Sequence, residues 1–230
     1  MKTVRRNLLV TIFLCCATAG LDATVMASLS PGASSPDGTA ATNHSKPPAK
    51  AKPSAKDDYT DKVADIKTNK GTITIRFFPD VAPNHVRNFI DLARKGFYNG
   101  SKFHRVIPGF MIQGGDPNTI SGDPSTWGTG GSGTNVKAEF NSVHHVPGIV
   151  SMARSQSPDS ASSQFFIVVG DASFLDKQYS AFGMVTSGMD VAQAIATTPR
   201  DPGDRPKSPV IMEKVTIRAA KGSEKGPTPK

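Results

Sequence analysis

From residue 59 to residue 219 the chain alternates short apolar runs with turn residues, and the runs read as strands. Residues 63–67 and 72–78 form the first pair, joined by the turn signal Asn69-Lys70-Gly71. Pro79 stops the second run. Pro83 suits the first turn of a helix, and Val86, Phe89, Ile90 and Ala93 follow at helical spacing. Gly96 is a fitting residue just past that helix. Five more strand-like runs cover 103–107, 110–113, 149–153, 165–169 and 182–185. A second helix at 189–197 precedes a last strand at 210–218. Many short strands with Gly/Pro turns, only two helices and no βαβ alternation predict a mainly β domain. The expected architecture is a closed antiparallel barrel capped by two α-helices. Three connections, 114–134, 154–163 and 197–209, are long for a compact domain, and such loops usually carry function.

The flanks have a different texture. Residues 1–27 combine a basic start (Lys2, Arg5, Arg6) with an apolar stretch from Leu8 to Ala19, too short to span a bilayer comfortably. Val25-Met26-Ala27 offers small residues for cleavage before Ser28. The segment reads as a secretory signal, with an uncleaved anchor as the other reading. Both cysteines, Cys15 and Cys16, lie inside it, so a processed chain has none. Residues 28–58 are rich in Pro, Ala, Ser and Lys and cannot bury enough surface to offset ordering entropy, so they read as a disordered linker. The tail at 220–230 reads the same way. The folded domain is placed at 59–219. Export, most simply to the periplasm, follows, with no stable membrane span once the signal is removed and a monomer as the expected state.

Net charge is +8, which raises the question of an anionic partner. Segments 1–27, 28–57 and 220–230 carry +2 each, leaving +2 for residues 58–219. No basic stripe interleaved with aromatics lies in the domain, so no nucleic-acid partner is expected.

The chemistry-bearing motifs narrow by elimination. Gly128, Gly130 and Gly133 form a G-x-G-x-x-G, but neither a strand before it nor a helix within it supports dinucleotide binding. His104, His144 and His145 lack metal-ligand spacing, so no metal and no cofactor are expected. No G-x-S-x-G elbow supports a serine hydrolase. What remains is chemistry without nucleophile, base or metal. Rotation about an X-Pro bond is of that kind. Its barrier is amide resonance, about 18–20 kcal/mol. A catalyst needs an apolar pocket for the proline ring, a permanent donor for the prolyl nitrogen, and backbone pairing for the flanking peptide. The stretch FHRVIPGFMIQGGD at 103–116 offers a non-titrating cation, Arg105, and apolar Phe110 and Met111. Gln113 lies two residues after Met111, on the same face of an extended strand.

This stretch, with PGIVSMA at 147–153, SSQFFI at 162–167, FLD at 174–176 and FG at 182–183, resembles the cyclophilin family of peptidyl-prolyl cis-trans isomerases. The match runs in consistent order from about Lys62 to Ala219. The resemblance implies an eight-stranded antiparallel barrel closed by two helices, with proline-containing polypeptides as partners. It implies that Arg105 is the catalytic cation. Phe110, Met111, Phe166 and Leu175 line the proline pocket, Gln113 contacts the substrate backbone, and Gln164 and Gly128 frame the groove. Ala153, Arg154 and Ser155 align with the segment that pairs with the peptide. Three departures stand out. Phe174 replaces the Trp usual in eukaryotic members and Tyr179 a frequent His, as in bacterial members that bind cyclosporin poorly. Arg154 replaces a common Asn, and a cation there is expected to favour acidic peptides.

Overall fold

The computed structural model describes residues 59–229. The expected signal at 1–27 and linker at 28–58 lie outside the described residues. Eight strands form one antiparallel sheet: β1 (Lys62–Thr68), β2 (Gly71–Phe77), β3 (Arg105–Ile107), β4 (Met111–Gly114), β5 (Ile149–Met152), β6 (Phe165–Val168), β7 (Ala181–Ser187) and β8 (Met212–Ala219). Their order in the sheet is β3-β4-β6-β5-β7-β2-β1-β8. All eight runs read from the sequence are strands.

The expected closure of the barrel is met only in part. The edge strands β3 and β8 share no ladder; the sheet is curled, and a single bridge, Lys102 to Ile211, joins the segments that precede them. Backbone bonds Phe103 N–H to Val210 O (2.9 Å) and Met212 N–H to Ser101 O (2.8 Å) flank that bridge. Pairing there stops because β3 turns away at Val106, whose N–H is taken by the carbonyl of Asp204 from the 197–209 loop.

Two helices were expected and both form, α1 (Pro83–Arg94) and α3 (Met189–Ala196). A third, the single turn α2 (Asn118–Ser121), sits in the long connection after β4, where no apolar period announces it. The α1 N-terminus has no side-chain cap of its own. Its orphan amides are satisfied from a distant loop instead: Glu139 accepts from Asn84 N–H (3.1 Å), His85 N–H (3.0 Å) and the His85 ring (2.6 Å). Burial alone would raise the Glu139 carboxyl, but these bonds outweigh it and hold it below its ordinary value. Burial holds His85 below its ordinary value too, against the pull of Glu139. Both shifts have the same sign for stability. The unfolded chain takes up protons first, so stability is lost as pH falls, at His85 below its ordinary 6.5 and at Glu139 below 4.5. Glu139→Ala is therefore expected to lower stability by about 2–3 kcal/mol at neutral pH, read from the urea midpoint. The gap to wild type should narrow as pH drops below the ordinary carboxyl range. A midpoint unchanged at neutral pH would show that the cap contributes nothing.

The segment after 219 also departs from expectation. Gly222–Glu224 makes a 3-10 turn. Arg218 binds both Asp65 (Nε to Oδ2, 2.6 Å) and Glu224 (Nη2 to Oε1, 2.6 Å), and Arg76 Nη2 donates to the Pro227 carbonyl at 2.7 Å. Donors on β2 and β8 hold a tail whose own composition says nothing of structure. No helix among the described residues is long and apolar enough to cross a membrane.

Strand alternation divides the apolar side chains into two clusters. Val106, Ile112, Val150, Met152, Phe165 and Ile167 point inward, where Phe89 of α1 stacks near Tyr98 (ring centroids 4.8 Å) and meets Phe165 edge-on (5.3 Å). Their sequence neighbours Met111, Ile149, Phe166 and Val168 point to the opposite face and form a second cluster with Phe78, Val143, Ala172 and Leu175. That second cluster is where the candidate site lies.

Candidate active site

Four adjacent strands set the frame. Arg105 on β3 is in register with Gln113 on β4, Gln113 with Phe166 on β6, and Phe166 with Ser151 on β5. Directly paired residues share a sheet face, so a cation, an amide and an aromatic ring stand side by side. The turn between β3 and β4 is Ile107-Pro108-Gly109-Phe110, with Gly109 at φ +70° and Phe110 N–H bonded to the Ile107 carbonyl (3.1 Å). Pro followed by a left-handed Gly is the signature of a tight type II turn. A Cβ on Gly170 would overlap the Gly109 carbonyl, so the chain after β6 can press against this turn only with glycine there. That contact fixes Phe110, whose carbonyl accepts from Val169 N–H at 2.8 Å.

Met111, Phe166 and Leu175 are buried, and Phe110, Ala153 and Tyr179 pack half-buried around them. Tyr179 meets Phe166 edge-on with ring centroids 5.7 Å apart. Phe174, 52% exposed, stacks at a tilt on Phe110, 5.3 Å between centroids. Gln113 donates to Gln164 Oε1 (2.9 Å), and Gln164 Nε2 donates in turn to the carbonyls of Gly128 (2.9 Å) and Gly130 (2.8 Å). Gly128 N–H is bound by buried Asp116. The glycine motif thus serves as a wall braced by Gln164 rather than a phosphate cradle. Ala153 N–H donates to the Gln164 carbonyl (2.9 Å), and Ser155 is tied to Ser160 through its N–H (2.9 Å) and its hydroxyl (2.7 Å). The N–H and carbonyl of Arg154 make no hydrogen bond within the described residues and remain available to a peptide. Register, packing or hydrogen bonds therefore bring Arg105, Phe110, Met111, Gln113, Gly128, Ala153, Gln164, Phe166, Phe174, Leu175 and Tyr179 to one surface, and Arg154 and Ser155 follow Ala153 along the chain.

Arg105 is about one-third exposed, and its nearest carboxylate is Asp204, 3.8 Å from Nε. Asp204 also takes Arg200 Nε at 3.0 Å and sits at φ +63°, a conformation rare for a residue with a side chain. The preceding Asp201 shapes this loop by accepting from Gly203 and Arg205 N–H, both at 2.9 Å. Neighbouring His104 is buried, which pushes its pKa down to about 4 against the pull of Asp116. It is neutral at physiological pH, and Arg105 carries the charge.

Sequence reading missed a polar network behind the pocket. Asp176 accepts from His145 N–H (2.8 Å) and the His145 ring (3.0 Å) through Oδ1, and from His144 (2.6 Å) through Oδ2. Burial would raise the Asp176 carboxyl, but these bonds hold it down at about 2. His145 Nε2 faces Ser151 Oγ at 3.2 Å, and its ring lies parallel to Phe166, 6.3 Å between centroids. The Ser151-His145-Asp176 spacing resembles a nucleophilic triad. Ser151, however, is fully buried beneath the same sheet face as its partner Phe166, and out of reach of any acyl carbon. The network instead ties the 144–146 loop to the turn that bears Phe174 and Leu175. Its sequence signals, the His144-His145 pair and Asp176 of FLD, could be noticed but not connected. Asp204 had only the turn signal Asp-Pro-Gly-Asp.

Comparison with known proteins agrees with this geometry. The family model described as cyclophilin type peptidyl-prolyl cis-trans isomerase/CLD matches residues 63–217. A Brucella abortus protein named "Probable peptidyl-prolyl cis-trans isomerase" is 45% identical over 159 residues, covering 67% of this chain and 81% of its own. A peptidyl-prolyl cis-trans isomerase of Acinetobacter baylyi is 40% identical over 167 residues, covering 68% and 86%. Among solved structures, a Cryptosporidium parvum cyclophilin-type isomerase crystallised in the presence of the dipeptide Ala-Pro aligns with TM-score 0.62 at 30% identity, over 68% of this chain and 99% of that one. With a family model spanning most of the folded domain and relatives at this identity, the chain belongs to the cyclophilin-type peptidyl-prolyl cis-trans isomerase family.

Proposed function

We propose that the domain accelerates cis/trans rotation of X-Pro bonds in exported polypeptides, with Arg105 as the catalytic cation. The observation that carries this reading is the register Arg105–Gln113–Phe166, which sets a standing positive charge beside an apolar floor on one sheet face. The proline ring rests against Phe166, Met111 and Leu175, walled by Phe110. The peptide backbone pairs with the open N–H and carbonyl of Arg154. As the amide twists, the prolyl nitrogen becomes pyramidal and gains a lone pair. The Arg105 guanidinium donates to it only then, so the twisted form is bound better than the planar one. Gln113, braced by Gln164, offers its amide oxygen to the bound chain. No proton is transferred, and none of the charged groups needs to titrate. The signal-like residues 1–27 support action outside the cytoplasm, most simply in the periplasm.

The test is exchange NMR on a short X-Pro peptide with purified protein. Line broadening or exchange cross-peaks should report rotation far faster than the uncatalysed rate of tens of seconds or slower. Peptide binding without acceleration would instead favour a proline-peptide-binding chaperone on the same fold.

A further inference from the structure

Beyond the general isomerase site, one charge on its rim is placed as a selector. Arg154 lies with its guanidinium carbon 4.8 Å from the centre of the Tyr179 ring and 5.9 Å from that of Phe140, so two aromatic rings hold it. Its Nε donates to the Gln178 carbonyl (3.3 Å), and its Nη1 to the carbonyls of Ser155 (2.9 Å) and Gln156 (3.1 Å). These partners are all neutral. No carboxylate among the described residues pairs with Arg154, whereas Arg105, Arg200, Arg205 and Arg218 each have one. Nη2 has no partner among the described residues. A guanidinium stacked on a ring presents its N–H edge sideways, and that edge fits a carboxylate.

Position supplies the second half of the argument. Tyr179, on which Arg154 lies, packs edge-on against Phe166, the floor of the proline pocket. The Arg154 backbone is the open segment on which the peptide is expected to pair. A residue next to the bound proline therefore passes a fixed, unneutralised cation whose entropy of ordering has already been met by the protein. A mobile surface lysine would have to be ordered by the ligand.

We infer that Arg154 makes this isomerase selective for X-Pro sites flanked by acidic side chains, a specificity that rests on the isomerase reading above. The test uses a peptide series with Glu, Gln or Lys at each of the two positions before and the two after the proline. Catalysed exchange is measured by NMR at low and high salt. Glu is expected to exceed Gln by about three- to tenfold at one or more positions, the range for a rim ion pair with ordered geometry. The advantage should shrink as salt rises. In Arg154→Gln the Glu/Gln ratio should fall to about one, and in Arg154→Glu the order should tilt toward Lys. The ratio is the readout, so a change in overall rate on substitution does not obscure it. A wild-type ratio near one at all four positions would overturn the inference, as would a ratio that persists in Arg154→Gln. Failure of the wild type to accelerate any of the peptides would overturn the isomerase reading itself.

Discussion

Arg105→Ala is expected to lower kcat/KM for X-Pro rotation by about 10²- to 10³-fold, the usual effect of removing a donor aimed at developing charge. The loss should fall mainly on kcat. Arg105 is asked to act on the pyramidal nitrogen, which does not exist in the planar ground state, so peptide affinity has little reason to change. Stability should change little as well. The side chain is one-third exposed and its only carboxylate partner among the described residues is 3.8 Å away, a distance typical of pairs that contribute little. A urea midpoint close to wild type alongside a collapsed exchange rate would separate chemistry from folding. Arg105→Lys should recover little, because an ammonium cannot hold Asp204 and the prolyl nitrogen with one planar fork. A rate within about fivefold of wild type in Arg105→Ala, below even the low end for such a donor, would remove Arg105 from the mechanism.

That expectation depends on residues the sequence presents unevenly. Arg105 is conspicuous because it is the one permanent cation in an apolar run, and strand alternation alone places Gln113 and Met111 on a common face. Phe165 and Phe166 are a harder case. Both are large, apolar and buried, and the strand run FFIV has no polar position within it to show which faces inward. Register against β4 and β5 decides it, and register is a property of the folded sheet. Asp204 and Asp176 illustrate a further limit. Each reads locally as a turn residue, yet one reaches Arg105 across the 197–209 loop and the other clamps His144 and His145. Their partners are distant in sequence, and no local period encodes such contacts. The tail fails for the same reason: Lys, Gly, Ser and Pro read as unstructured until Arg76 and Arg218 reach it. The barrel closure was over-read because strand count fixes neither the length of the edge strands nor where their ladders stop.

The pair Phe165 and Phe166 turns the face assignment into a measurement. Phe165→Ala and Phe166→Ala remove the same atoms from adjacent, buried positions, at 0% and 5% exposure. Each should cost about 3–5 kcal/mol of stability, the range for truncating a buried Phe. Phe165 loses edge-on contacts with Phe89 and Tyr98 in the inner core, so its cost should lie toward the upper end. Phe166 loses its contacts with Tyr179 and His145, on a face that a substrate must also reach, so the surroundings can relax and its cost should lie toward the lower end. Activity should order the two the other way. Per folded molecule, Phe166→Ala removes the floor on which the proline ring rests, and KM should rise at least tenfold, about 1.4 kcal/mol, the scale of one ring-sized apolar contact. Phe165→Ala leaves that floor in place, and its KM should stay near wild type once the folded fraction is accounted for. Urea midpoints and exchange kinetics on both variants give four numbers from two neighbouring residues. Equal KM values would mean that the face of β6 bearing Phe166 is a second core and not a binding surface. The site would then have to be sought elsewhere on the sheet.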